Sequence, residues 1–223
     1  MNGAWVALAL TLKVACWATA LNLVLGVGVG YLLARKRFFG RDVLDAVLTL
    51  PMVLPPTVLG YYLLVLIGRH GPIGAWLQST FGIQLIFTWQ GAVIAATLVA
   101  FPLVFKSARA AFESVEPQFE QAARVLGQNE RAVFFRVTLP LAWRGILAGL
   151  LLGFARATGE FGATLMVAGS IAGKTQTLSV AIYEAVQAGQ DDVANFLVMV
   201  TSITCVALLL AAGRLVPGRV ANP

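Results

Sequence analysis

The sequence predicts an all-α protein, a polytopic membrane helical bundle with five core transmembrane helices and one cytoplasmic loop of short helices. Of its 223 residues, 59% are hydrophobic and only 12% are charged, whereas a soluble domain carries about 25% charged residues. About 20 apolar residues cross the ~30 Å hydrocarbon layer, and several stretches reach that length. No hydrophilic block of domain size remains, so residues 1–223 are predicted to form a single membrane domain.

The five spans follow the long apolar stretches of the chain. We place them at about residues 14–33, 46–68, 88–106, 145–168 and 193–213. Residues 3–12 are apolar too, and are predicted to form either a sixth, short interfacial helix or the outer turns of a long tilted first span. The second span contains Pro51, Pro55 and Pro56. Because proline lacks an N–H donor and clashes with the preceding turn, this span must be kinked or broken.

The basic residues orient these spans. Twelve of the 16 Lys and Arg residues lie after the first span, between the third and fourth, or after the fifth. The positive-inside rule places that side in the cytoplasm. We therefore predict an N-terminus outside the cell and a C-terminus in the cytoplasm. Since topology accounts for the net charge of +6, no nucleic-acid partner is expected.

The fourth span contains an ionisable pair, Arg156 and Glu160. Residues four apart share one face of a helix. Charges at membrane depth are costly, and they normally pair with each other or line a water-filled path. Two interpretations stay open from the residues alone: a self-neutralising structural bridge, and a direct role in transport or gating.

Catalysis and metal binding have no candidate residues in this sequence. Its two cysteines lie inside spans, its single histidine lies in an outer turn, and no Cys/His cluster indicates a metal site. Residues 168–175 resemble a phosphate-binding loop, but Ala168 stands where that pattern requires its first glycine. The chain is therefore expected to be no enzyme and to bind no cofactor.

The loop at residues 107–144 is predicted to contain two short helices. The first begins at Pro117, ends at Gly127 and carries an apolar stripe at helical spacing, formed by Phe119, Ala122, Ala123 and Leu126. Asn129 caps the second, which is predicted to end before Leu139. An apolar stripe on the cytoplasmic side is typical of a docking surface for a partner protein, or of a helix lying on the lipid surface.

This loop resembles a motif of the permease subunits of bacterial ABC importers: Glu-Ala-Ala, three residues, Gly, nine residues, then Ile-x-Leu-Pro. The chain has Gln121-Ala122-Ala123, Gly127 and Val137-Thr138-Leu139-Pro140 at that spacing. It departs from the motif in Gln121, which replaces Glu and follows Glu120, and in Val137, which replaces Ile. The resemblance implies that a partner ATPase is coupled through Glu120, Gln121, Ala122, Ala123, Gly127, Val137, Leu139 and Pro140.

Four further segments resemble the molybdate permease subgroup: residues 51–60, 159–164, 171–177 and 181–189. Sulfate/thiosulfate permeases share part of this pattern but are generally longer. The resemblance therefore implies import of molybdate, with tungstate as a near-indistinguishable companion and sulfate or thiosulfate as the alternative. An ATP-independent anion transporter or channel is the alternative of a different class. It would need its own ion-coupling carboxylates, and only Glu160 lies in a span.

The resemblance also implies an assembly. It implies a homodimer in the bacterial inner membrane, with the translocation path at its interface, that docks on cytoplasmic ABC ATPase subunits, which bind ATP and Mg. A periplasmic molybdate-binding protein would deliver the anion. A tetrahedral dianion that crosses the bundle needs polar groups and helix N-termini. The pathway candidates are Arg156, Thr158, Glu160 and Thr164, and the candidates at the outer mouth are Lys174 and Thr175.

Overall fold

The computed structural model describes residues 2–215, and in that part of the chain every regular element is helical, which confirms the predicted fold class. The helices are α1 (Asn2–Arg35), α2 (Arg41–Val53), α3 (Pro56–Ile67), α4 (Pro72–Phe81), α5 (Trp89–Glu113), α6 (Pro117–Val125), α7 (Glu130–Val133), α8 (Leu139–Thr158), α9 (Gly162–Ala168), α10 (Leu178–Gln187) and α11 (Asp191–Leu215). Within the described residues, four continuous helical stretches are long and apolar enough to cross a membrane, or five if α2 and α3 form one bent span. Arg219, one of the basic residues used for orientation, lies outside the described residues.

The centre of the bundle is α5. Its buried alanines Ala92, Ala96 and Ala100 form one cluster with α1. Further along, Ala108 and Phe112 form another cluster with residues of α8 and the last turns of α1. Small side chains let helices approach closely inside a membrane, so α1 and α8 both pack directly on α5. We call the end of the bundle at which α6 lies the α6 end.

The N-terminal segment is part of α1, which runs without a break from Asn2 to Arg35. This settles the alternatives for residues 3–12, because they are the first turns of the long first helix. The hydroxyl of Thr11 in these turns accepts the backbone N–H of Leu178 at 2.9 Å. The bond holds the start of α10 against α1.

The second span is broken, as its prolines predict. The chain bends by 113° between α2 and α3, and the turn between them contains Leu54 and Pro55. Pro56 opens α3 at a position where its missing N–H costs no hydrogen bond. The break therefore divides one apolar stretch into two short helices that point in different directions.

Ion pairs tie the first half of this broken span to α5 at the α6 end. Asp45 of α2 lies 2.7 Å from Lys106 and 2.8 Å from Arg109. Arg109 also pairs with Glu113, which in turn lies 3.1 Å from Arg41. A single exposed ion pair contributes at most about 1 kcal/mol. Here the pairs share partners, so α2 is joined to the central helix at several points.

Two predicted boundaries around the fourth span are wrong. The span was expected to run through residues 145–168, but α8 ends at Thr158 and α9 begins only at Gly162. The Thr158 hydroxyl bonds to the carbonyl of Phe154 at 2.8 Å, and such bonds back to the preceding turn compete with helix continuation. Glu160 lies in the break, so it does not share a helix face with Arg156.

The second boundary is the expected end of the second loop helix before Leu139. Instead α7 continues through a π-helical turn, Phe134–Thr138, directly into α8. The backbone N–H of Leu139 is donated to the carbonyl of Phe134, five residues back. Pro140 cannot donate a regular helical bond, and a wider turn at this point carries the chain past it without ending the helix.

Candidate functional site

Helix α6 ends as its glycine predicts. Gly127 has φ +79°, a left-handed conformation that a side chain with a Cβ adopts only with strain. Its N–H is donated to the carbonyl of Arg124 at 2.9 Å, and the N–H of Gln128 is donated to the carbonyl of Ala123 at 3.1 Å. These two bonds form a Schellman motif. The stop fixes where the exposed last turn of α6 lies.

The two faces of α6 differ in chemistry. Glu120 and Ala123 are buried against the bundle. Three apolar side chains nevertheless stay open: Phe119 is exposed, and the exposed fractions of Val125 and Leu126 are 88% and 79%. Apolar side chains this exposed at one site indicate a surface that another molecule covers.

The other motif residues are divided between the same two sides. Gln121, Ala122, Gly127 and Pro140 are exposed, whereas Val137 and Leu139 are half-buried. Gln121, which stands at the motif's glutamate position, therefore faces outward beside Ala122. Phe135 of the π turn is exposed as well, so it adds an aromatic ring at the α6 end.

Glu120 joins three elements. Its Oε1 accepts a hydrogen bond from Nη2 of Arg35, at the end of α1, at 2.5 Å. The same oxygen accepts a bond from the hydroxyl of Thr138, in the π turn, at 2.7 Å. A buried carboxylate is costly unless it is paired and hydrogen-bonded. These two donors satisfy that need, and they hold α6 to α1 and to the segment that leads into α8.

A second carboxylate joins α6 to α7. Glu130 accepts hydrogen bonds from Nε and Nη2 of Arg124, at 2.6 and 3.0 Å. This bonding raises the pKa of the Arg124 guanidinium above its ordinary value. The predicted cap is confirmed, since the Asn129 side chain accepts the N–H of Ala132 at 2.8 Å. The loop is therefore a defined structure rather than a flexible link.

The second candidate region lies where the two broken spans meet. A Cβ added to Gly162, the first residue of α9, would lie 2.9 Å from Cβ of Pro56, the first residue of α3. The break between α2 and α3 thus touches the break between α8 and α9. Helix N-termini carry a partial positive charge, and here two of them start side by side.

The pair Arg156 and Glu160 lies at this junction. Nη1 of Arg156 is 2.8 Å from Oε2 of Glu160, and the other carboxylate oxygen accepts the N–H of Ala163 at 2.9 Å. The Glu160 side chain is 1% exposed, whereas that of Arg156 is 34% exposed. Glu160 therefore caps α9 and neutralises Arg156, and the guanidinium stays partly open. Thr164, in α9, is buried.

The two residues predicted at the outer mouth differ in their surroundings. Lys174 is exposed. Thr175 is 1% exposed, and its hydroxyl accepts the N–H of Ile171 at 3.0 Å. The Thr175 side chain therefore closes its own turn, and its place at the outer mouth stays a prediction.

Known proteins resemble this chain over most of its length. The family model "Binding-protein-dependent transport system inner membrane component" matches residues 26–220. The molybdenum transport system permease protein ModB of Haemophilus influenzae is 44% identical over 92% of this chain and 90% of that protein. The sulfate transport system permease protein CysW of Synechocystis sp. is 39% identical over 92% of this chain and 74% of its own length. An inward-facing structure of the MetNI methionine ABC transporter aligns with a TM-score of 0.70 at 18% identity, over 96% of this chain and 93% of that one.

Proposed function

The chain belongs to the binding-protein-dependent transport system inner membrane component family, and we propose that it is the permease subunit of an ABC importer that carries molybdate into the cytoplasm. The assignment of molybdate as the transported anion rests on the 44% identity to ModB over nearly the whole of both chains. The sulfate permease relative is less similar, and this chain spans only 74% of it. We expect tungstate to share the path with molybdate.

The open apolar face of α6 supports coupling to a cytoplasmic ATPase, which binds the ATP and Mg. Phe119, Val125 and Leu126 form the docking surface, and Gln121 lies at its edge. The α6 end is then cytoplasmic, with the N-terminus outside the cell. Closure of the ATPase dimer on ATP moves α6, and the two packings of the spans alternate between inward-facing and outward-facing states.

The junction of the broken spans supports a path for an oxyanion. In a homodimer the path lies between the two subunits, and a periplasmic binding protein delivers the anion to the end opposite α6. Arg156, partly open and neutralised by Glu160, attracts the anion without trapping it. The N-terminus of α3 adds partial positive charge at the same place, whereas that of α9 is already bonded to the Glu160 carboxylate. Lys174 is the basic residue that meets the delivered anion.

Uptake of labelled molybdate and labelled sulfate tests the function. The chain is expressed with its cognate ATPase and binding protein in cells without their own oxyanion importers. An ATPase variant that cannot hydrolyse ATP is the matched control. We expect molybdate uptake that depends on ATP hydrolysis, withstands excess sulfate and is reduced by tungstate. Sulfate uptake would overturn the assignment of molybdate as the substrate. Anion uptake with the inactive ATPase would overturn the assignment of the chain to an ATP-driven importer.

A paired variant separates the two interpretations of Arg156. Replacing Arg156 and Glu160 both with glutamine removes both charges, and the new side chain at 160 still accepts the Ala163 N–H. We expect normal amounts of folded permease and an uptake reduced about tenfold or more, as for loss of a hydrogen bond from a charged group. Full uptake by this double variant would leave the pair only a structural role. Arg156→Gln alone is the comparison, because it strands a buried carboxylate.

A further inference from the structure

Lys13 is a charged residue inside the long first helix. Its Nζ lies 3.7 Å from the centre of the Trp89 ring, at the first residue of α5. Lys13 is exposed, and within residues 2–215 it forms no ion pair. A ring face attracts the ammonium, but three N–H donors call for further acceptors. Among residues 2–215, no side chain supplies a second ligand for this cation.

An apolar groove begins at the same place. Trp17 and Leu21 follow Lys13 at intervals of four residues, so all three lie on one face of α1. Trp17 and Leu21 line a cavity of about 230 Å³, together with Trp89, Val93 and Ile94 of α5, and the accessible wall of this cavity is apolar. The groove therefore extends from the ammonium along the bundle toward the α6 end.

The depth of this groove follows from the lengths of the helices. The basic residues Arg35 of α1 and Lys106 of α5 mark the α6 end of their helices. About 20 residues span the hydrocarbon layer, which places Lys13 and Trp89 at the opposite boundary. Tryptophan and lysine are the residues that commonly anchor a span at such a boundary. The cation thus lies at headgroup level, with the groove below it in the hydrocarbon.

We propose that this groove binds an anionic phospholipid of the leaflet opposite the α6 end, with its phosphate at Lys13 and one acyl chain along Trp17 and Leu21. Charge complementarity favours this occupant. The Lys13 ammonium lies at the level of a lipid phosphate, and the apolar wall below it lies at the level of the acyl chain. A free phosphate would leave the wall uncovered. A second copy of the chain would have to bring a carboxylate to Lys13. The site does not depend on which anion the protein transports.

Fluorescence quenching in nanodiscs tests the site on the full-length chain. The discs contain phosphatidylcholine and a small fraction of either phosphatidylglycerol or phosphatidylcholine that is brominated on one acyl chain. We expect brominated phosphatidylglycerol to quench tryptophan with an apparent affinity about fivefold higher than the brominated zwitterion, the effect of one basic residue at a membrane surface. Trp17→Phe should reduce the quenched signal, and Trp89, which lines the same cavity, should account for the rest of it.

Matched charge variants decide the outcome. Lys13→Gln should abolish the preference for phosphatidylglycerol, and Lys13→Arg should retain it. Arg69→Gln removes another exposed basic residue that forms no ion pair within the described part of the chain, and it should leave the preference unchanged. Equal quenching by both lipids would overturn the proposal, as would a preference that survives Lys13→Gln. Absence of quenching in the Trp17 component by either lipid would mean that protein covers the groove. Molybdate uptake is measured separately, so failure of the lipid site and failure of the transport function are distinguishable.

Discussion

Replacing Glu120 with alanine is expected to lower the stability of the permease and to uncouple transport from ATP hydrolysis. The change removes the acceptor of two hydrogen bonds, from Arg35 at 2.5 Å and from Thr138 at 2.7 Å. Breaking a buried ion pair costs about 3–5 kcal/mol. Because the Arg35 side chain is 23% exposed and can reach water, we expect about 3 kcal/mol here. Thermal unfolding of the purified protein measures it.

The coupling effect follows from what Glu120 connects. It is the buried link from α6 to α1 and to the turn that enters α8, so without it α6 can move while those helices stay behind. In proteoliposomes that contain the whole importer, we expect fewer anions transported per ATP hydrolysed. Glu120→Gln should be milder, since its amide oxygen still accepts both bonds.

The matched control for this prediction is Glu130→Ala in the same loop. That residue also pairs with an arginine, but its side chain is 73% exposed, and exposed pairs contribute at most about 1 kcal/mol. Little change in unfolding temperature or coupling is expected. If Glu120→Ala matched Glu130→Ala in both measurements, the hydrogen bonds of Glu120 would contribute neither to stability nor to coupling. Arg35→Ala should reproduce Glu120→Ala, and the double variant should add little to either.

The features that sequence could predict are those encoded locally. Apolar length predicted the membrane bundle, and three prolines predicted the broken second span. The stop at Gly127 and the cap at Asn129 each depend on a side chain and a backbone group only a few residues away. Such patterns are visible in a single sequence because chain geometry alone brings the partners together.

The features that sequence could not predict depend on distant partners or on breaks inside apolar sequence. Arg35 is 85 residues from Glu120, and among the basic residues of its loop nothing distinguished it as a partner. Helical spacing placed Glu120 beside Gln121 without showing which one faces the bundle. In the fourth span, apolar residues continue beyond the break, so hydropathy predicted one helix. Glu160, whose carboxylate accepts the N–H of Ala163, gave no local signal either, because Ser, Thr, Asp and Asn rather than Glu are the usual capping residues at a helix start.

Replacing Gly127 with valine is expected to uncouple transport from ATP hydrolysis, and to affect this coupling more than it affects the stability of the permease. The left-handed φ of +79° is strained for a β-branched residue by about 1–3 kcal/mol. Relief of that strain opens the Schellman turn and displaces Leu126 on the docking face. Open space surrounds Gly127, so the effect comes from the backbone and not from a clash.

The uptake of molybdate per ATP hydrolysed should fall about tenfold, which corresponds to roughly 1.4 kcal/mol of lost coupling, while the ATPase remains active. Gly127→Asn should be tolerated, because asparagine adopts left-handed dihedrals more readily than other residues.

Gly82→Val is the matched control. Gly82 has φ +67° and open space around it, but it ends α4, far along the chain from the docking loop. The same backbone strain is introduced there, so a loss of stability without a loss of coupling is expected. Full coupling in Gly127→Val would show that α6 is not the helix through which the ATPase acts, since its last turn could then be displaced without consequence for transport.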